Sequence, residues 1–315
     1  MRTERIPQPR RSRPKSPFLT LASSVGLWLA LLVTVAVLSG GCTSHSRIPA
    51  NSASHVAAPS AADRSSDPAF QYPKAQIPFG NHTVGQGATR NYTEREITIP
   101  SLGVSPQGDR VVRGRYFRSV EPGPRPLVIV LPIYARFTYP SEKVGGFVQR
   151  HSGGAVHVFE VEGKNFLINW YTAADTKDEN LYLDVFRQGA EAERLVITDL
   201  RRLIDWAEQQ PEIDGSRVAI VGFSRSAIVA GTLATQEPRL AATVLVVGGA
   251  HPHTIIARCG GKRTSAVQKN AERNFGWSPD ELEDRLKPIF STVDAANYPG
   301  RVDPRTVLMI EAAKD

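Results

Sequence analysis

The sequence predicts an α/β fold with a mainly parallel central sheet and helices on both faces. Short apolar runs at Leu127–Leu131, Arg217–Gly222 and Ala242–Val247 are typical of strands that are buried on both sides. Segments with helical periodicity separate the later runs. Buried strands that alternate with helices indicate a parallel sheet covered by helices.

The other predicted strands come before and after these runs. Polar and apolar residues alternate in Arg95–Pro100 and Arg110–Val120, which indicates two half-exposed strands. We expect a hairpin turn around Gln107-Gly108-Asp109 to join them. Ala155–Val161 and Thr306–Glu311 complete the set of predicted strands.

Two helices are predicted between the buried strands. Val185–Gln209 has one apolar face at helical spacing, formed by Val196, Leu200, Leu203 and Ala207. Ser226–Thr235 is apolar nearly all round, which predicts a buried helix.

The stretch from Gly249 to Arg305 is less regular. Ser278-Pro279-Asp280-Glu281 predicts a helix start, with a capping serine, proline at the first helical position and an acid three residues after the cap. The stretch forms either part of a lid or a crossover with an insertion, and we favour the crossover.

The charge is concentrated at the N-terminus. The formal net charge is +7, but residues 1–15 hold six basic side chains and one acid, and residues 16–41 hold no charge. The rest of the chain is therefore almost neutral and has no basic run. This distribution argues against nucleic acid as the main partner.

Residues 1–41 have the layout of an export signal, with a basic head followed by an apolar core. Their end, Leu38-Ser39-Gly40-Gly41-Cys42, resembles the lipobox of bacterial lipoproteins, although the leucine lies four places before the cysteine rather than three. The resemblance implies a lipid on Cys42 and attachment to a membrane of the cell envelope. An uncleaved anchor over Phe18–Leu38 or ordinary cleavage and secretion are the alternatives. All three place the body outside the cytoplasm.

Residues 42–76 are rich in Ser, Ala and Pro, which predicts a flexible tether. The folded domain is then expected over residues 77–315.

Ser224 is the main candidate functional residue. It lies in the turn Gly222-Phe223-Ser224-Arg225-Ser226, between a predicted buried strand and a predicted buried helix. Sites in parallel sheets form at the carboxyl ends of the strands, and a helix N-terminus favours a developing anion. The alternative role for Ser224 is that of an ordinary helix N-cap.

This strand, turn and helix resemble the nucleophile elbow of the α/β-hydrolase superfamily. Ser226 stands where that family usually has a second glycine, and it is still small. The order of elements is similar to the branch of dienelactone hydrolases and acetyl xylan esterases. The resemblance implies a serine hydrolase that acts on esters or related acyl substrates through a Ser-His-Asp triad and an acyl-enzyme.

The resemblance also implies the other site residues. The backbone N–H groups of Tyr134, or Ile133, and Arg225 would form the oxyanion hole. Asp315, after the last predicted strand, would be the triad acid. The alternatives are that Tyr134 is a packing aromatic and that Asp315 is a solvated end residue.

The triad histidine has no candidate at the family position. The seven histidines end at His253, and the family places its histidine after the acid. We expect the sequence to be a fragment whose histidine follows Asp315. The alternative is a degenerate hydrolase, either one in which His251 or His253 serves as base or a non-catalytic, membrane-tethered binding protein.

The sequence suggests no cofactor. It has no glycine-rich nucleotide motif, and its two cysteines, Cys42 and Cys259, cannot form a cysteine-rich zinc site. A metal at His251 and His253 is not favoured, because no carboxylate or cysteine lies nearby at ligand spacing.

Overall fold

The computed structural model describes residues 66–74, 80–82, 91–105, 108–134, 141–163 and 167–311. These residues form one mixed sheet with helices packed against it, which confirms the predicted α/β class. The strands within the described ranges are β1 Gly80–His82, β2 Tyr92–Ser105, β3 Gly108–Ser119, β4 Arg125–Val130, β5 His157–Val161, β6 Ile213–Phe223, β7 Leu240–Val246 and β8 Val307–Ile310. The helices are α1 Ser141–Ser152, α2 Trp170–Asp175, α3 Glu179–Glu208, α4 Arg225–Gln236, α5 Pro252–Arg258, α6 Lys262–Phe275 and α7 Pro279–Phe290.

The sheet has an antiparallel part and a parallel part. Its strand order is β1-β2-β3-β5-β4-β6-β7-β8. The first three strands pair antiparallel, and β3 pairs antiparallel with β5. From β5 to β8 every pairing is parallel. The carboxyl ends of β4, β6, β7 and β8 therefore lie along one edge of the sheet, which is where sites form in such folds.

The long helix α3 supplies much of the core. The predicted apolar face is buried, and Trp206 contacts the rings of Tyr116 and Phe159 at centroid distances of 5.1 and 5.5 Å. Full burial of one such side chain stabilises the fold by roughly 1.5–3 kcal/mol. α3 starts earlier than predicted, because Asp178 caps it by accepting hydrogen bonds from the N–H groups of Asn180 and Leu181.

The segment between β7 and β8 contains α5, α6 and α7. Because β7 and β8 are parallel neighbours, this segment is the crossover between them, as favoured from the sequence. The predicted start of α7 is confirmed. Ser278 Oγ accepts a hydrogen bond from the Glu281 N–H at 3.2 Å, and the Glu281 carboxylate accepts one from the Ser278 N–H at 2.8 Å.

Residues 66–74 lie within the predicted tether, yet they pack on the domain. Phe70 is fully buried in the core, and its carbonyl accepts a hydrogen bond from Arg201 at 2.6 Å. The Tyr72 hydroxyl donates to Asp205 at 2.6 Å. The boundary predicted after Gln76 therefore moves towards the N-terminus, because two aromatic side chains in a polar segment anchor it to α3.

The predicted signal peptide and Cys42 lie outside the described residues. Among the described helices, none combines the length and the apolar character that crossing a bilayer requires.

Candidate active site

Ser224 lies between β6 and α4 in a strained backbone conformation. Its φ is 49° and its ψ is −116°, a region that non-glycine residues rarely adopt. Such a conformation costs about 1–3 kcal/mol, and the surrounding structure must enforce it. Here the Ser224 N–H donates to the Val246 carbonyl at 2.8 Å, so the end of β7 holds the turn. The serine side chain is exposed at the carboxyl edge of the parallel strands.

Small residues let this turn close. A Cβ on Gly222 would overlap the backbone of Ser226 and lie 2.8 Å from the nitrogen of Ala227. Ser226 is buried, and its Oγ accepts from the Phe223 N–H at 2.8 Å and donates to the Phe223 carbonyl at 3.0 Å. Serine at this position therefore fastens the turn with its own hydroxyl.

The structure argues against the N-cap role for Ser224. The residue occupies the N-cap position of α4, but its side chain accepts no hydrogen bond from the helix. Its hydroxyl is thus not used to stabilise α4.

The loop after β4 lies along the same edge of the sheet. The Leu131 N–H donates to the Val221 carbonyl at 2.9 Å, which ties this loop to β6. Tyr134 is buried and has a φ of 50°. Gly163, after β5, allows the loop to pack closely, since a Cβ there would lie 2.5 Å from the Pro132 ring and 3.2 Å from the Tyr134 ring. The candidate oxyanion loop is therefore fixed in a defined conformation.

Arg225 begins α4, so its backbone N–H is among the helix donors without an intrahelical acceptor. Its side chain forms an ion pair with Glu193, which lies on α3 and is fully buried. Burial raises the pKa of Glu193, the Arg225 guanidinium opposes this shift, and the nearby Asp294 carboxylate adds to it. A buried carboxylate on α3, that of Glu193, thus holds the Arg225 side chain in place.

A second polar cluster follows β7. His251, His253 and Asp294 lie together, with the Asp294 Oδ2 at 3.3 Å from the His251 Nδ1 and 3.6 Å from the His253 Nδ1. Asp294 is buried between two short 3-10 turns, and its Oδ1 accepts hydrogen bonds from the N–H groups of His251 and Ala296, both at 3.0 Å. We call these three side chains the imidazole cluster. The Asp294 carboxylate of this cluster also contributes to the raised pKa of Glu193.

The two imidazoles differ in exposure. The His251 side chain is 58% exposed, and that of His253 is 8% exposed. The His253 Nδ1 is buried and has no hydrogen-bond partner among the described residues. Burial lowers the pKa of His253, which favours its neutral form, whereas Asp294 and Glu283 oppose that shift.

Two further histidines lie away from this edge. His157 is buried at the start of β5, where it accepts from the Ser119 N–H and contacts the Glu212 carbonyl, each at 2.9 Å. His151 is at the end of α1 and stacks on Phe147. Both have structural contacts that account for them.

The predicted acid, Asp315, lies outside the described residues. β8 ends at Ile310, whose carbonyl accepts a hydrogen bond from the Val247 N–H at 2.8 Å. The chain thus leaves β8 at the edge of the sheet that carries Ser224. Three apolar side chains of this last described strand are exposed, namely those of Leu308, Met309 and Ile310.

A cavity of about 440 Å³ lies at the other end of the sheet. Its lining includes Arg118, Pro124 and Glu212, close to the amino ends of β4 and β6. The strand ends that approach Ser224 do not border it. We therefore assign the candidate site by the strand ends and the elbow rather than by this cavity.

Sequence reasoning missed two residues of the site region. Glu193 lies three residues before Val196 on the apolar face of α3, and an acid on such a face is a readable signal of a buried charge pair. Asp294 gives no comparable signal, because the crossover brings it to the histidines from a distant part of the chain.

Comparisons with known proteins give a partial family match and similar folds. Residues 201–313, about a third of the chain, match the family model described as BAAT / acyl-CoA thioester hydrolase C terminal. The fold is similar to acetyl xylan esterase 1 from a Thermoanaerobacterium species, with a TM-score of 0.52 and 16% identity over 75% of this chain and 72% of the other. An acetyl xylan esterase from a Paenibacillus species gives a TM-score of 0.52 and 17% identity over 75% and 73%. No curated protein sequence matches the chain.

The described fold is thus similar to that of two acetyl xylan esterases. The matched family segment contains the elbow, β7, the imidazole cluster and β8.

Proposed function

We propose that this protein is a serine hydrolase that cleaves carboxylic esters or thioesters. The observation that carries the proposal is Ser224, an exposed serine on a strained turn at the carboxyl edge of the sheet, whose hydroxyl does not cap the following helix. The match to a thioester hydrolase family segment and the similarity to acetyl xylan esterases support the acyl substrate class.

In the proposed reaction, the Ser224 Oγ attacks the carbonyl carbon of the substrate and gives its proton to a histidine. The negative charge that develops on the carbonyl oxygen is bound by the backbone N–H groups of Tyr134 and Arg225. The alcohol or thiol then leaves with the proton, and water releases the acid from Ser224. In this proposal Asp315 orients that histidine, as the resemblance to the α/β-hydrolase superfamily implies.

The proposed mature protein is exported and attached to the membrane through a lipid on Cys42. The basic and apolar segments before Cys42 support this location. The mass of the mature N-terminal peptide tests it, because lipidation would add acyl chains to Cys42.

The test of the serine mechanism compares the wild-type protein with two serine variants. We expect Ser224→Ala to lower the hydrolysis of p-nitrophenyl acetate or an acyl-CoA thioester by at least ~10³-fold. Ser216→Ala is the matched control, because Ser216 is an exposed serine near the other end of β6, and full activity is expected. Retained activity in Ser224→Ala would overturn the assignment.

The same experiment examines the runner-up function, a membrane-tethered binding protein without catalysis. A wild-type protein that hydrolyses neither ester nor thioester, and whose Ser224 does not react with a fluorophosphonate, would favour that function.

A further inference from the structure

The imidazole cluster combines an exposed imidazole, a buried imidazole and a buried carboxylate. Two imidazoles face one buried carboxylate, and each imidazole directs its Nδ1 towards the same oxygen, Asp294 Oδ2. The candidate ligand atoms of His251, His253 and Asp294 all lie within 4.8 Å of one another. Two nitrogens and one carboxylate oxygen are a common ligand set for zinc.

The distances between these atoms fit a small tetrahedral ion. Zinc binds nitrogen and oxygen at about 2.0–2.2 Å, so neighbouring ligand atoms in a tetrahedral site are roughly 3.3–3.6 Å apart. The Asp294 Oδ2 lies at 3.3 and 3.6 Å from the two imidazole nitrogens. Two of the three ligand spacings therefore already match, and the third is no longer than 4.8 Å.

The buried imidazole gives an independent indication. The His253 Nδ1 is buried, has no hydrogen-bond partner among the described residues, and is directed at the cluster. A buried nitrogen without a partner carries an uncompensated desolvation cost, and a metal ion would remove that cost. On the other side of the ring, the His253 Nε2 lies 3.9 Å from the Glu283 Oε1. This distance is longer than a hydrogen bond, so Glu283 places a negative charge near the ring without fixing its orientation.

The backbone also supports the arrangement. Asp294 uses its Oδ1 to bind the His251 N–H at 3.0 Å and leaves its Oδ2 facing both rings. His251 is held at a φ of 61°, an uncommon conformation that positions its ring beside the carboxylate. The large exposed fraction of His251 gives an ion access from solvent.

We propose that His251, His253 and Asp294 bind a zinc ion, with water in the fourth position. The site joins the start of the crossover, at α5, to its end, near β8. It does not depend on the serine chemistry. Without a metal, the same geometry would represent only an ion pair between a protonated histidine and Asp294, and the experiment separates these two cases.

The experiment titrates the full chain, expressed without a histidine tag, with Zn²⁺ alone. Isothermal titration calorimetry should give one ion per chain with a Kd in the micromolar range or tighter. His251→Ala should weaken binding by at least ~10-fold, since loss of even an outer-shell partner costs 10–100-fold. His253→Gln should weaken it similarly. His151→Ala is the matched control, because His151 lies on α1 away from the cluster. The Zn²⁺ affinity of this variant should equal that of the wild type.

X-ray absorption of the zinc-loaded chain should show two imidazole nitrogens and a carboxylate oxygen at about 2.0–2.2 Å. The proposal is overturned if the wild type binds no Zn²⁺ at about 100 µM, a concentration 100 times a micromolar Kd. It is also overturned if His251→Ala, a change at an exposed position that should fold normally, binds zinc as tightly as the wild type.

The result is separable from the proposed function. Ser224→Ala should bind zinc with unchanged affinity, whatever its effect on ester hydrolysis. If Ser224→Ala loses hydrolysis and keeps zinc, both proposals stand. If hydrolysis is absent throughout but zinc binding follows His251, only the hydrolase proposal fails.

Discussion

The elbow and the imidazole cluster both follow strands of the parallel sheet, and each is built over one buried carboxylate. Beneath the elbow, Glu193 pairs with Arg225, whose guanidinium remains charged at any ordinary pH. In the cluster, Asp294 faces His251 and His253, which can be charged, neutral or bound to a metal. The comparison teaches that the two buried acids differ in what their partners can bind. Glu193 pairs with a permanent cation, whereas the imidazoles beside Asp294 can also bind a metal ion.

The two regions also differ in how their parts meet. Phe223, Ser224, Arg225 and Ser226 are consecutive, so short-range sterics define the elbow. The cluster joins residues from the two ends of the crossover. Its geometry therefore depends on the packing of α5, α6 and α7.

The largest expected effect comes from removing each buried carboxylate in turn. Glu193→Ala should destabilise the fold by about 3–5 kcal/mol, because it leaves the Arg225 charge partly buried without a partner. Asp294→Ala should cost less, about 1–3 kcal/mol, because the histidines can lose their protons and only two backbone N–H bonds are lost. Urea denaturation at pH 7.5 without added metal measures both. Equal losses of unfolding free energy in the two variants would contradict this reasoning. They would show that an arginine partner does not make the carboxylate more costly to remove than histidine partners do.

A second prediction concerns the steric basis of the elbow. Gly222→Val should destabilise the domain by about 1–3 kcal/mol and abolish ester hydrolysis, since the new side chain would overlap the Ser226 backbone. Gly231→Ala in α4 is the control, because a Cβ there makes ordinary contacts of 3.7 Å with Leu245 and 3.9 Å with Ala295. That change should be neutral or stabilise by about 0.5–1 kcal/mol. Denaturation curves measure the stability of both variants, and ester hydrolysis rates measure their activity. A Gly222→Val protein with normal turnover would disprove the close packing of the turn.

The smallest effect concerns a third buried carboxylate, Glu160 on β5, which pairs with Arg115 at 2.5 Å. Burial raises the pKa of Glu160 from 4.5 to about 7, although Arg115 opposes this. The folded state thus holds the proton more tightly than the unfolded chain does. The contribution of Glu160 to stability is therefore complete below pH 4.5 and is lost as the pH rises towards 7 and above.

Glu160→Gln should remove this part of the pH dependence. Between pH 5 and pH 8, the unfolding free energy of the variant should therefore fall by about 1–2 kcal/mol less than that of the wild type. Denaturation at several pH values measures the slope. If the variant and the wild type show equal slopes, then Arg115 keeps Glu160 ionised throughout, and Glu160 behaves as a fixed ion pair.

The sequence by itself determined the α/β class, the order of the buried strands and the elbow. Each of these is a local property: a buried strand is a short apolar run, and the turn at Ser224 needs small residues two places on either side. The capping box at Ser278 was readable for the same reason. The turn at Ser224 could be predicted from the sequence because the residues that form it are consecutive in the chain.

Only the tertiary structure decided which distant groups meet. It paired Glu193 with Arg225, brought Asp294 to His251 and His253, and packed the segment around Phe70 on α3. An acidic residue in a sequence does not specify its partner, because that choice depends on how helices and crossovers pack. The sequence argued against a metal near the histidines because it showed no carboxylate nearby. The fold supplies that carboxylate through the crossover, since chain separation does not limit contact in a folded domain.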